Sequence, residues 1–472
     1  MLSSILLFNK KIDMKLYITS LLLIVFSNLS LQSQIIHVPQ DYQTIQTAID
    51  AAIENDTILV DQGTYYENIN FKGKNIVVCS NFAFSRDQND VSETIINGSM
   101  PQHADTASCV LFVSGEDSSA VLIGFTLNGG TGTKWEDEHG PGNYYTEGGG
   151  VLIQQSSPTI KNNIITANEA INEEGSILSA GGGGIRCGDG NPNILNNVIS
   201  YNQGLYGGGI VMNYSDATIK NNIIFGNSGG DDFGGGGLWF LQNGESPIIV
   251  ENNTIAYNHS KKGGGGLRLW SSDVLMTNNI VWGNTGTFSA QIQGSGDLTY
   301  CCVQGGFDGE GNIDIDPEFS EISFILNDGS PCIDAGNPET IYNDPENPLS
   351  PGFALYPAGG ELLSDMGAYG GPGCIQLPQI ITAIDQRKQM EKDDLFVYPN
   401  PANKEISVNI KSEYADIKIY DISGKLIKET IFHNLNLQSA KFKLDVSNLK
   451  TGIYFIKIKD NISVKSNKFI KL

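Results

Sequence analysis

One short pattern occurs five times between Gly148 and Asn284, and it limits the possible folds of this chain more than any other feature. Each copy begins with a glycine run and a short apolar stretch, and ends with Asn-Asn, four further residues and a third Asn. The second Asn of the pair occurs at Asn163, Asn197, Asn222, Asn253 and Asn279. The copies are 34, 25, 31 and 26 residues apart, so a constant unit carries insertions of variable length, which is typical of a solenoid.

The repeated unit predicts short β-strands. It has no 3.6-residue apolar period, and its β-branched stretches alternate between apolar and polar residues. A coil of about 22–26 residues holds about three short strands with their turns, which suits a parallel β-helix. Asn tolerates the left-handed turn conformation, and coils stacked about 4.8 Å apart would allow the repeated Asn amides to hydrogen-bond in a ladder.

The kernel reads GGGI, then SPTI, then NNII, and it resembles the PbH1 repeat of the right-handed parallel β-helix (pectin-lyase-like) superfamily. The resemblance implies an all-β, right-handed solenoid over residues 34–375 with an N-terminal capping helix. Tyr42–Ile53 is the expected cap, because Ile45, Ala48, Ile49, Ala52 and Ile53 share one helical face. The superfamily includes lyases, hydrolases, adhesins and inert stalks, so the fold alone selects no function.

The two ends of the chain predict export. Residues 1–33 have a basic start and a short apolar stretch, as a signal peptide does, and translation could begin at Met1 or at Met14. Residues 376–393 form a polar linker, and alternating strands over residues 394–472 predict an antiparallel β-sandwich. The YPNP, DISGK and TGIYFIKI segments of this sandwich resemble the type A sorting domain of the Bacteroidota type IX secretion system. That resemblance implies contact with the secretion machinery and a secreted or cell-surface location, with the body anchored or released after the tail is cleaved.

Composition narrows the expected partners. The tail from Leu395 carries a formal charge of +6 and the rest of the chain −29, which argues against nucleic-acid binding. No other apolar run is long enough to span a membrane, and we expect a monomer.

No metal-binding motif is present, and no cofactor other than calcium is expected. Five aspartates in loops could together form a calcium site. These are Asp314, Asp316, Asp328, Asp334 and Asp365. A disulfide between Cys332 and Cys374 is plausible, and the odd total of seven cysteines leaves at least one thiol unpaired.

Alignment of the five copies on their last glycine assigns the strand faces. Val151, Ile185, Ile210, Leu238 and Leu267 then point inward. Arg186, Trp239 and Arg268 point outward in one column, with Trp270 in the next. The insertions precede the glycine runs and should wall a groove above this face. They are Thr131–Glu147, Glu169–Ala180, Gln203–Tyr206, Ser228–Phe233 and His259–Lys262.

We therefore predict a polysaccharide or cell-surface glycan as the partner of this groove. Exposed Trp239 and Trp270 would stack on sugar rings, and Arg186 and Arg268 would pair with acidic groups. A glycan-binding, adhesive or structural role is one interpretation, and a polysaccharide lyase or glycoside hydrolase acting on acidic polysaccharide is the alternative. Asp231 and Asp232 could then supply carboxylates, with Arg186 or Arg268 as base, although the motifs that support catalysis in β-helix polygalacturonases are absent. The sequence leaves open whether the protein is an enzyme.

Overall fold

The computed structural model describes residues 33–137, 139–170, 180–230, 233–242, 244–270, 273–320, 323–378, 397–398, 402–410, 414–421, 425–433, 440–460 and 464–471. The chain divides into two compact units, Met1–Gln379 and Ile380–Leu472. Nearly all of the predicted signal peptide and most of the predicted linker lie outside the described residues. Each unit is described here by itself.

The first unit is a parallel β-helix, as predicted, in which each coil adds one strand to each of three long parallel sheets. Sheet A has ten strands: Ile35–Val38, Thr57–Val60, Val77–Ser80, Val121–Ile123, Thr159–Lys161, Asn193–Leu195, Thr218–Lys220, Ile248–Glu251, Val274–Thr277 and Asp297–Thr299. Sheet B has nine strands: Gly63–Tyr65, Thr94–Asn97, Thr126–Asn128, Ile164–Thr166, Val198–Ser200, Ile223–Phe225, Thr254–Ala256, Ile280–Trp282 and Cys302–Val303. Sheet C has eight strands: Ile69–Asn70, Val110–Phe112, Val151–Gln154, Ile185–Gly188, Ile210–Asn213, Leu238–Leu241, Leu267–Trp270 and Ile292–Gln293.

Two smaller sheets arise beside sheet C. Sheet D stacks five short strands that follow sheet B in successive coils: Glu169–Ala170, Gln203–Gly204, Ser228–Gly229, His259–Gly263 and Thr285–Phe288. Sheet E has four strands, Thr106–Ala107, Gly132–Glu136, Tyr144–Glu147 and Ala180–Gly181, and its middle two form an antiparallel hairpin. We call residues 132–147 the hairpin insertion. It rises from the coil just before the Val151–Gln154 strand of sheet C.

The core of the solenoid contains the residues that the glycine alignment turned inward. Val151 pairs with Ile185, Ile185 with Ile210, and the column continues through Leu238 to Leu267. All five side chains are fully buried in one continuous apolar cluster. The strand register therefore follows from the glycine run, because each run ends one residue before a sheet C strand.

The two asparagines of each pair have separate structural roles. The first adopts the left-handed conformation, with φ between 50° and 58° at residues 162, 196, 221, 252 and 278. The second is buried, and its side chain bonds to its neighbours in a column. Asn222 Oδ1 accepts from Asn197 Nδ2 at 3.0 Å, and Asn222 Nδ2 donates to Asn253 Oδ1 at 3.0 Å. Similar bonds link the ladder residues from Asn163 to Asn279.

A short helix caps the first coil. It covers Ile45–Ala51, shorter than the predicted span, because the Thr44 side chain accepts from Thr47 N and caps its N-terminus. Glu67 also accepts from the Ile45 and Gln46 backbone N–H groups at 3.0 and 2.9 Å. Ile45, Ala48 and Ile49 are fully buried, but Ile53 is 36% exposed because the chain leaves the helix before it. The other helices are Phe82–Ser85 and Gln88–Glu93, and Thr340–Tyr342 is a 3₁₀ turn.

The irregular segment of residues 323–378, called the closing segment, runs back along the solenoid over the left-handed asparagines of the turns. Asn278 Oδ1 accepts from Asn337 N at 2.7 Å, Asn252 Nδ2 donates to Asp365 O at 2.9 Å, and Asn221 Nδ2 donates to Gly370 O at 2.7 Å. The Asn196 side chain continues the row with a 3.0 Å bond to Gly373 O. This closing segment covers backbone groups that the turns would otherwise expose.

The second unit contains two antiparallel sheets that share one apolar core. One has strands Val397–Tyr398, Glu405–Ile410 and Ala440–Asp445. The other has strands Tyr414–Asp421, Leu426–His433, Gly452–Asp460 and Val464–Lys471. Ile456 and Ile458 are buried, whereas Ile453 and Phe455 are about half exposed because they point away from the shared core.

Candidate functional site

A cavity of about 260 Å³ lies on the outer surface of sheet C. Sheet C supplies its floor, and the hairpin insertion supplies one wall. The insertions that end at Tyr206 and Phe233, and the turns at Asp189 and Tyr214 after two sheet C strands, supply the remainder. Thirteen residues line it: Asp137, His139, Tyr145, Glu147, Arg186, Asp189, Tyr206, Asn213, Tyr214, Phe233, Trp239, Leu241 and Trp270. Six of these residues are Phe, Tyr or Trp, so aromatic side chains are the largest group in the lining.

The hairpin insertion holds its shape through its own hydrogen bonds. Its strands pair from Thr133↔Glu147 to Glu136↔Tyr144, and Thr146 and Glu147 pair in parallel with the next insertion strand. At the tip, Asp137 N donates to Asn143 O, and Gly142 N donates to Glu136 Oε1, both at 2.9 Å. The Asp137 carboxylate, His139 and Tyr145 are thereby held at the cavity.

A buried ion pair joins this wall to the floor. Arg186 Nε lies 2.8 Å from Glu147 Oε2, and the two side chains are only 6% and 3% exposed. Tyr206 donates its hydroxyl to Glu147 Oε1 at 2.8 Å, and Arg186 also donates to Gln154 Oε1. Arg186 does point away from the core, as the sequence indicated, but Glu147 covers and neutralises it. It is not the solvent-exposed cation that was expected to bind an acidic sugar.

The aromatic floor is partly covered. Trp239 was expected to be exposed, but it is only 5% exposed because Tyr206 packs on it with ring centroids 4.7 Å apart. The Phe233 ring also packs against Tyr206, with ring centroids 5.9 Å apart. Trp239 Nε1 is buried and has no hydrogen-bond partner among the described residues. Trp239 therefore forms the base of the cavity and is not an open stacking platform.

Trp270 is the exposed aromatic of the floor, with 44% of its surface accessible. The Arg268 guanidinium lies 4.8 Å from the centre of the Trp270 ring and donates to the Phe233 carbonyl. Partial burial lowers the pKa of Arg268 from its ordinary value. Arg268 packs over the Trp270 ring and does not line the cavity.

A histidine–aspartate pair lies at the hairpin side of the cavity. His139 Nε2 and Asp189 Oδ1 are 2.9 Å apart, and the imidazole stacks on Tyr214 at a centroid distance of 3.7 Å. The Asp137 carboxylate accepts from His139 N at 2.9 Å. The pKa of nearby Tyr145 is raised by burial, and by the negative charges of Asp137 and Glu147. The pair can hold or transfer a proton beside a bound ligand.

The structure thus brings three of the predicted residues, Arg186, Trp239 and Trp270, into one cavity and places Arg268 next to it. Asp231 and Asp232 lie outside the described residues. Sequence reasoning missed Asp137, His139, Tyr145, Glu147, Asp189, Tyr206 and Tyr214. The insertions that carry most of them were expected to form groove walls, but nothing in the repeat fixes where an insertion side chain points.

The aspartates suggested as calcium ligands do not form a metal site. No group of three or more His, Cys, Asp or Glu side chains suited to a metal ion occurs within the described ranges. Asp365 instead accepts from the backbone N–H groups of Asp334 and Gly359 at 2.8 and 2.7 Å. Burial raises the pKa of Asp365 to about 7 and that of neighbouring Asp344 to about 8.

Cys332 and Cys374 do not form the suggested disulfide, and all seven cysteines are free and buried. Cys332 instead lies in an apolar cluster with Cys302, Ile280 and Met366. Burial among apolar side chains makes these thiols core residues and raises the pKa of Cys374 to about 12.

Comparisons with known proteins identify the tail. Residues 396–472 match the family model described as a secretion system C-terminal sorting domain. No curated protein and no solved structure matches the chain. The match indicates secretion through the type IX system to the cell surface or extracellular space, and it implies interaction with that machinery.

Among the residues that the structure describes, no helix has the length and apolarity needed to cross a membrane. Fold and tail together define the class of protein as an exported parallel β-helix with a C-terminal sorting domain.

Proposed function

We propose that the exported β-helix binds a glycan and holds one part of it in the cavity on sheet C. The observation that carries this proposal is the aromatic lining of a concave site on the outside of a secreted solenoid. The rigid stack of coils positions the floor, and the hydrogen-bonded hairpin insertion positions the wall. A glycan-binding surface of this kind suits adhesion or attachment to a polysaccharide.

Aromatic side chains suit sugars because a sugar ring has an apolar face of C–H groups and a polar edge of hydroxyls. Trp270 has 44% of its surface accessible to a sugar ring, while Asp137, Asp189 and Asn213 offer oxygen atoms to hydroxyl groups. The volume lies slightly below the roughly 300–1,000 Å³ of sites for drug-sized ligands, so the cavity fits a small unit of a longer chain.

The alternative is a polysaccharide lyase or glycoside hydrolase, in keeping with the resemblance of the repeat to the pectin-lyase-like superfamily. The observation that favours it is the His139–Asp189 pair, because a carboxylate-oriented imidazole is a common general acid–base group. Arg186 is a poor base in this arrangement, since its guanidinium is already paired with Glu147. His139 is the better candidate.

A glycan array probed with the full secreted protein tests the proposal. Trp270→Ala should weaken binding about five- to tenfold, because an aromatic stacking contact contributes about 1 kcal/mol beyond its buried area. Tyr66→Ala is the matched control, since Tyr66 is similarly exposed at 54% but lies outside the cavity lining. Absence of glycan binding by the wild-type protein, or equal losses in both variants, would overturn the proposal.

The same panel of glycans distinguishes binding from catalysis. Release of reducing ends or of unsaturated sugars that stops in His139→Ala would establish the enzymatic alternative. Binding without turnover supports the glycan-binding role.

A further inference from the structure

The charges around the cavity point to a particular class of sugar. The lining contains three carboxylates, of Asp137, Glu147 and Asp189, and one guanidinium, of Arg186. Glu147 and Arg186 neutralise one another at 2.8 Å in a nearly dry environment. The carboxylates that remain to face a ligand are those of Asp137 and Asp189.

These two carboxylates lie on the same side of the cavity. Both contact His139, Asp137 through the backbone N–H and Asp189 through the ring, each at 2.9 Å. The Asp189 side chain is 26% exposed, so it keeps access to a ligand while it orients the imidazole. The left-handed conformation of Asp189, with φ of 51°, turns the chain at the end of the Ile185–Gly188 strand.

The aromatic lining also favours a positively charged ligand. The faces of Trp and Tyr rings carry partial negative charge and attract ammonium groups, and desolvation strengthens that attraction. A cavity that combines six aromatic rings with these two carboxylates therefore favours a cation and disfavours an anion.

The negative charge of the rest of the chain also favours a positively charged ligand. The chain before the tail carries a formal charge of −29, and the hairpin insertion adds Glu136 beside Asp137. A polyanion approaching this face would meet repulsion over its whole length. Acidic polysaccharides, which the sequence suggested as substrates of the enzymatic alternative, are the least suitable ligands.

We propose that the cavity selects a glycan containing a free, protonated amino sugar. In this arrangement the ammonium group lies next to Asp137 and Asp189, and another ring of the same glycan packs on Trp270, three strands away in sheet C. The inference rests on the proposed glycan-binding function and specifies which sugar chemistry that function uses.

Three β-1,4-linked oligosaccharides of equal length test the proposed preference for an amino sugar. They are built from glucosamine, glucose and glucuronate. Titration calorimetry uses the full secreted protein at about pH 7, where an amine with an ordinary pKa of about 8 is mostly protonated and an ordinary imidazole, with a pKa of about 6.5, is mostly neutral. We expect glucosamine oligosaccharides to bind at least about tenfold more tightly than glucose oligosaccharides, and glucuronate oligosaccharides to bind most weakly. Asp137→Asn and Asp189→Asn should each lower the ratio of glucosamine to glucose affinity toward one.

The control is Asp117→Asn, which removes an exposed carboxylate outside the cavity and should leave that ratio unchanged. Asn at position 189 keeps an acceptor for His139, so loss of the preference would report the missing charge and not a displaced imidazole. Equal or tighter binding of glucuronate, or a ratio unaffected in both cavity variants, would overturn the selection while glycan binding stands. Failure of all three oligosaccharides, and of the glycan array, would overturn the proposed function itself.

Discussion

The asparagine ladder should contribute measurably to the stability of the solenoid, and Asn222→Ala is the most informative perturbation. Asn222 is fully buried in the middle of the column. Its Oδ1 accepts from the backbone N–H of Asn197 at 2.9 Å and from Asn197 Nδ2 at 3.0 Å. Its Nδ2 donates to Ile194 O at 2.8 Å and to Asn253 Oδ1 at 3.0 Å.

Alanine would leave at least the Asn197 N–H and the Ile194 carbonyl without these partners in a site closed to water. Each buried polar group left unsatisfied costs about 1–3 kcal/mol, so the loss should be about 2–6 kcal/mol. Urea denaturation followed by tryptophan fluorescence measures it, with Asn89→Ala as the control. Asn89 is exposed in the Gln88–Glu93 helix, and its substitution should change stability by less than about 0.5 kcal/mol. A loss below about 1 kcal/mol in Asn222→Ala would refute the ladder argument.

Three further predictions concern the buried ion pair, the closing segment and the tail. Glu147→Gln should cost about 3–5 kcal/mol in urea denaturation because it removes the charge that pairs with buried Arg186. Replacing both residues, with Glu147→Leu and Arg186→Met, should recover most of that loss; a double variant as unstable as the single one would contradict this reasoning. Burial raises the pKa of Asp344 from 3.8 to about 8, so the folded state holds more protons than the unfolded state between these values. The free energy of unfolding should therefore fall as the pH rises from about 4 to about 8, with a shallower fall in Asp344→Asn, and a profile that rises over this range would be inconsistent with a protonated Asp344. Deletion of residues 396–472 should keep the protein from the cell surface and medium in a fractionation immunoblot, and undiminished export would show that another signal directs it.

The sequence predicted the parts of the fold that depend on local spacing. The last glycine of each run fixed the register that aligns Arg186, Val211, Trp239 and Arg268 in one outward column. The recurring asparagines likewise marked where each coil turns. These predictions succeed because stacking brings the same position of each coil together, so a pattern in the chain becomes a column in space.

The surroundings of the side chains in those columns depend on residues that are far away in the sequence, so they could not be predicted from the spacing. Arg186 is covered by Glu147, which is 39 residues away and is positioned by the hairpin insertion. Trp239 is covered by Tyr206, which comes from the insertion two coils after that hairpin. The first Asn of four of the five pairs binds the closing segment more than 50 residues downstream, as Asn278 does with Asn337. Insertions vary in length and carry no repeat, so their packing is not encoded in the spacing.

A crystal structure of the secreted protein with its tightest-binding oligosaccharide would test the central claim most directly. We expect electron density for the sugar above sheet C, with one ring on Trp270 and polar groups of the glycan next to Asp137 and Asp189. Density on another face of the solenoid, or an empty cavity at a ligand concentration that saturates binding in solution, would contradict it.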